Sequence, residues 1–134
     1  MAGTLRPLIL IDTNIAIDLR DGDAITSAAV LQLDSWPLLS IVSQVELEGG
    51  IHRDRAMAAL RRRLTDRLLA TTEVVELTHD DVRAYGRIVE AAGFDRRRIL
   101  DRLIAAQCLT RNAALVTRNG PDFADIEGLS LIHW

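Results

Sequence analysis

The sequence predicts an α/β fold in three layers, with a mostly parallel central sheet flanked by helices, and three features carry that prediction. Short runs of branched apolar residues, Leu8-Ile9-Leu10-Ile11 above all, have the pattern of strands buried on both faces. Stretches with apolar residues at helical spacing separate them. The two kinds of segment alternate along the chain, as crossover connections in a parallel sheet require. The length of 134 residues and a hydrophobic fraction of 49% fit a single domain, 1–134, with one core.

Residues 8–11 form the expected central strand. Asp12-Thr13-Asn14 are all helix N-cap formers, and the amphipathic stretch 15–19 ends at Asp21-Gly22. Residues 24–33 have helical spacing, Pro37 breaks it, and 38–42 read as a second strand running into Ser43. A helix opens over 43–48, Gly49-Gly50 interrupts it, and 53–70 resume, which predicts a helical hairpin. A third strand follows over 73–77. Thr78 caps a helix to about Ala92, and Gly93 ends it. A helix over 99–112, a strand over 114–117, a loop over 118–122 and a last strand over 129–132 complete the chain.

The formal charge of −3 argues against a protein that coats duplex DNA, which needs a surplus of basic residues to neutralise phosphates. Every basic residue is arginine, a side chain suited to bidentate phosphate contacts. No segment is long and apolar enough to span a bilayer, so no membrane association is expected. The opening Met1 to Leu5 lacks the basic head of a secretory signal, and the lone Cys108 cannot form an internal disulfide. A cytoplasmic location is the resulting expectation.

Ligands of open α/β sheets bind beyond the carboxyl ends of the strands, which directs attention to polar residues placed directly after an apolar strand. Asp12 is one, although it or Thr13 would also serve as a helix cap. Glu46 is another, in Ser43-Gln44-Val45-Glu46, where the same two residues fit an S-x-x-E capping box. Asp101 borders the apolar helix face of Ile104 and Ala105, with an ion pair to Arg97 as its structural alternative. Asp122 lies in Thr117-Arg118-Asn119-Gly120-Pro121-Asp122-Phe123, which turn chemistry alone also explains.

Jointly the four acids say more than each does alone, because the fold would bring all of them to one edge of the sheet. Two carboxylates ~4 Å apart repel by about 4 kcal/mol at an effective dielectric of about 20, so such a cluster calls for protons or a cation. Oxygen-only ligation selects magnesium or manganese over zinc, and phosphodiester hydrolysis is the fitting chemistry.

These motifs resemble the PIN-domain family and, within it, the VapC-type ribonuclease toxins of bacterial toxin-antitoxin pairs. Ile9-Leu10-Ile11-Asp12-Thr13-Asn14 looks like the opening motif, Glu46-Leu47-Glu48-Gly49-Gly50 the second, and Asp101-Arg102-Leu103-Ile104-Ala105-Ala106 the third. Leu115-Val116-Thr117-Arg118-Asn119 with Asp122-Phe123 looks like the last. The resemblance implies an endoribonuclease that binds Mg2+, or Mn2+ in its place, through Asp12, Glu46, Asp101 and Asp122. It places Thr13, Asn14, Ser43, Thr117 and Asn119 around them as hydrogen-bonding supports. It also implies a homodimer and a cognate VapB-like antitoxin whose tail covers the acidic cleft.

Arg118, in the loop beside the proposed site, is the expected RNA phosphate contact. The runs Arg61-Arg62-Arg63 and Arg96-Arg97-Arg98 read as solvated helix faces. His52, His79 and His133 have no metal-ligand spacing, and Cys108 reads as a core residue. Two rival functions are an aspartate-based phosphatase and a catalytically silent protein-binding module. The first usually has a second Asp two residues after the nucleophile, where this chain has Asn14; the second has no need of four acids.

Overall fold

The computed structural model describes residues 7–134. Residues 1–5, read above as lacking a secretory head, lie outside the described residues. The elements in chain order are β1 (Ile9–Ile11), α1 (Thr13–Arg20), α2 (Ala24–Leu31), β2 (Leu38–Ser40), α3 (Ile41–Arg53), α4 (Ala58–Thr71), β3 (Val74–Val75), α5 (His79–Ala92), a 3-10 turn (Arg96–Arg98), α6 (Ile99–Arg111), β4 (Ala114–Thr117), a second 3-10 turn (Gly120–Phe123) and β5 (Ser130–His133).

The five strands pair in the order β3-β2-β1-β4-β5, and every pairing is parallel. Strand side chains alternate between faces, so β1 feeds two cores. Leu10 joins Leu115, Ile88, Ile104, Ala105 and Cys108 under α5 and α6. Ile9 and Ile11 join Ile15, Leu39, Leu47, Leu68 and Val116 under α1, α3 and α4. This is the predicted three-layer α/β arrangement, and Cys108 is a core residue as expected, its thiol pushed up to about 12 by burial. Among the described residues no helix is long and apolar enough to cross a membrane.

The third strand is shorter than expected, Val74–Val75 instead of 73–77, and two further boundaries differ near the site. β2 stops at Ser40, whose hydroxyl accepts the Val42 N–H and caps α3, so Ser43 lies inside the helix and the Ser43/Glu46 capping box does not form. α3 also continues through Gly49 and Gly50 to Arg53, and the hairpin turns at 54–57 instead. Glycine costs a helix about 1 kcal/mol per residue, and packing of Leu47 and Ile51 on the core outweighs that cost here.

The topology determines where a site can form. From β1 the chain proceeds outward through β2 to β3, then returns to place β4 on the other side of β1. The gap at the carboxyl ends of β1 and β4 is therefore a switch point, the place where open α/β sheets bind ligands.

Candidate active site

Asp12 stands at that switch point, directly after β1, and is almost wholly buried. Its Oδ1 accepts the Ile15 N–H at 3.1 Å, so it does cap α1. Its Oδ2 accepts the Thr117 hydroxyl, from the end of β4, at 2.6 Å. Capping and site membership are thus compatible: the cap fixes the carboxylate's orientation and the cross-strand bond fixes its position.

Thr13 carries the contact to the next acid. Its hydroxyl donates to Glu46 Oε1 at 2.6 Å and lies 2.9 Å from Ser43 Oγ, which has the remaining hydrogen to give. Ser43 and Glu46 lie one turn apart on α3, so the helix that starts at Ser40 presents both towards α1. On the other side, Thr117 Oγ1 accepts the Asn119 N–H at 2.9 Å, and Asn119 Nδ2 donates to Asp122 Oδ2 at 2.7 Å. One chain of bonds therefore links Asp12, Thr117, Asn119 and Asp122.

Asp101 lies in the first turn of α6, and its structural alternative, an ion pair with Arg97, does not form; Arg97 instead approaches Asp95. Its carboxyl is pushed up to about 6, chiefly by burial and then by the charges of Glu46, Asp122 and Asp12, with Arg98 opposing. Charges act only when near and poorly screened, so Asp101 lies within the field of the other three acids. The cluster is loose: among the described residues no three acid, His or Cys side chains stand close enough to close on one ion. The donor set nonetheless fits magnesium or manganese, because magnesium keeps several waters and takes few protein carboxylates.

Open clefts border the cluster on two sides. One, of about 390 Å³, is lined by Asp12, Asn14, Ile17, Asp18, Arg118 and Asn119. The other, of about 260 Å³, is lined by Asp95, Arg97, Arg98, Asp101 and Asp122. A third hollow of about 360 Å³, between α5 and Asp125-Glu127, lies away from the cluster. Asn14 is exposed in the first cleft and makes no side-chain hydrogen bond to another described residue.

The PIN domain family model matches residues 9–129. The chain belongs to the PIN-domain family. No curated protein sequence matches it. In fold this PIN domain is similar to a chain of VapBC2 from Rickettsia felis, solved bound to a DNA fragment from the pair's promoter. The two are 22% identical with a TM-score of 0.82, over 95% of this chain and 98% of that one. It is likewise similar to a chain of VapBC-1 from nontypeable Haemophilus influenzae, at 24% identity and a TM-score of 0.77, over 95% and 98%. A chain of VapBC-5 from Mycobacterium tuberculosis, of a toxin-antitoxin family, gives 23% and 0.71, over 96% and 100%.

The partners of several arginines around the PIN-domain cleft escaped the sequence reading. Arg118 turns away from the acids and donates to Asp18 Oδ2 and Thr26 Oγ1, both at 2.5 Å. Arg98 donates to the Asp122 carbonyl at 3.1 Å, and the buried Arg102 donates to Asp125 at 3.1 Å and to the Gly93 carbonyl at 2.6 Å. These bonds brace the Asp122 loop against the helix that carries Asp101. Asp18 and Asp125 lie about 100 and 23 residues from their partners in sequence, and no local pattern marks such pairs.

Proposed function

We propose that this chain is a metal-dependent endoribonuclease, the VapC-type toxin of a VapBC pair, hydrolysing RNA phosphodiester bonds. The observation that carries the reading is the bonded arrangement at the strand ends, in which Thr117 holds Asp12, Thr13 holds Glu46 and Asn119 holds Asp122, with Asp101 in the first turn of α6. Such a cluster is costly without a cation, and a cation held there would face an open cleft on either side.

In this reading Asp12, Glu46, Asp101 and Asp122 would hold Mg2+ or Mn2+, which would supply positive charge to the scissile phosphate and lower the pKa of attacking water. The remaining work belongs to the chain. Thr117 and the Ile15 N–H aim Asp12, Thr13 aims Glu46 with Ser43 behind it, and Asn119 aims Asp122. Asp101 has no such bond to another described residue, and burial together with the neighbouring carboxylates pushes its carboxyl up to about 6. Arg118 would contact an RNA phosphate only by releasing Asp18 and Thr26.

A VapB-like antitoxin, a second copy of the chain and a cytoplasmic location complete the proposal. The fold shared with chains of VapBC complexes supports the antitoxin partner. The test is sequencing of RNA ends after expression of the wild type and of Asp12→Asn. New ends with the wild type alone are expected; identical profiles would remove the ribonuclease reading.

A further inference from the structure

We propose that Arg97 is the phosphate contact that receives single-stranded RNA at the acidic centre, so that the strand enters over the 3-10 turn Arg96–Arg98. The inference rests on the ribonuclease reading above. The two clefts flank the acids on either side of the bond that Asn119 of one donates to Asp122 of the other. Arginines line both of them, Arg118 the first and Arg97 and Arg98 the second.

Those arginines are not equivalent. Arg118 is engaged by Asp18 and Thr26 at 2.5 Å each. Arg98 is engaged by the Asp122 carbonyl, Asp95 and Asp125. Arg97 has its side chain 92% exposed and only a 3.7 Å approach to Asp95. It alone among the arginines of the two clefts has its hydrogen-bonding fork open, the feature that suits guanidinium to phosphate.

Electrostatics gives the open fork a task. RNA approaching four carboxylates on a chain of charge −3 meets repulsion, and a cation at the lip of the cleft offsets it where the strand first arrives. A phosphate would take from Arg97 only the long Asp95 contact, whereas Arg118 would lose two short bonds. Arg96 belongs to the same turn and is exposed, but lines neither cleft, so it has equal charge without the position.

That neighbour makes a matched control. The probe is a fluorescently labelled, unstructured RNA oligonucleotide, with chelator added to keep it intact, its affinity followed by anisotropy across a salt series. Arg97→Ala should reduce the slope of log K against log salt by about 0.7, the value of one single-strand phosphate contact. Arg96→Ala should retain the wild-type slope, and Arg97→Lys should restore most of it. Equal losses in Arg96→Ala and Arg97→Ala would reduce the effect to a diffuse field and overturn the inference. So would a wild-type slope in Arg97→Ala, or the loss appearing in Arg118→Ala instead. A wild type that cleaves RNA while Arg97→Ala binds normally leaves the ribonuclease reading standing without this contact; a wild type that neither binds nor cleaves removes both.

Discussion

Two aspartates joined by α6 show opposite ways of placing a charge out of water. Asp81, in the first turn of α5, is fully buried and meets the last turn of α6. It accepts from Arg111 at 2.8 and 3.2 Å, from Thr110 at 2.6 Å and from the Thr78 N–H at 2.8 Å. Burial pushes its carboxyl up, but these bonds outweigh it and hold the group at about 2. Asp101, in the first turn of the same helix, has burial and three like charges against it and sits at about 6. The contrast separates a charge the fold satisfies from one it leaves in need of a ligand, and perturbations of the second kind are those that gather at functional sites.

The largest expected effect falls on the satisfied end. Asp81→Ala leaves the Arg111 guanidinium and the Thr110 hydroxyl without their acceptor and removes the capping box at Thr78. A loss of about 3 kcal/mol in urea unfolding is expected, at the lower end for a broken buried pair because Arg111 keeps the Gln107 carbonyl. RNA cleavage per folded molecule should be unchanged. A stability near wild type would erase the contrast, since it would mean the Asp81 network contributes little.

The opposite sign is expected at the other end. Asp101→Asn removes a charge that the fold disfavours, and the metal-free protein should gain about 1 to 2 kcal/mol at neutral pH, discounted for partial exposure. The pH dependence follows from the same two groups. Folded Asp101 holds its proton to about 6 and the unfolded group to 3.8, so stability rises as pH falls between those values. Asp81 contributes above 3.8, and its contribution is lost as pH falls towards about 2. Denaturation of the chelated wild type should thus reach its best resistance near pH 4 as far as these groups decide it, and Asp101→Asn should flatten only the upper limb. Added manganese should stabilise the wild type but not this variant; a destabilised Asp101→Asn would show that the four acids do not converge.

The sequence carried more of this than of the side-chain network. Buried parallel strands such as Leu8 to Ile11 read clearly because both faces are apolar, and the acids after them read as site candidates because the topology sends strand ends to one edge. The boundary at Ser40 was missed because Ser40 and Ser43 are equally good caps locally, and burial of Ser40 against Gln107 of α6 decides between them. The partners of Arg118 and Arg102 were illegible for the same reason: each is chosen by tertiary proximity. The Arg96-Arg97-Arg98 run read as a uniform solvated face, and only its position beside Asp101 and Asp122 distinguishes Arg97 from Arg96.

The smallest expected effect sharpens the comparison on helix surfaces. Gly49 and Gly50 interrupt nothing in α3, and a methyl group at either would meet empty space; the same holds for Gly86 in α5. Alanine at each should therefore stabilise by about 0.5 to 1 kcal/mol, through helix propensity and a less flexible unfolded chain. Thermal melts of the three single variants check this. Gly86→Ala, on the helix that Asp81 caps, should change stability alone. α3 holds Glu46, so if its open glycine surface serves the proposed antitoxin partner, Gly49→Ala or Gly50→Ala should combine a higher melting temperature with weaker binding of a co-expressed VapB-like chain. Three equal gains with unaltered binding would mean that the glycines serve no partner.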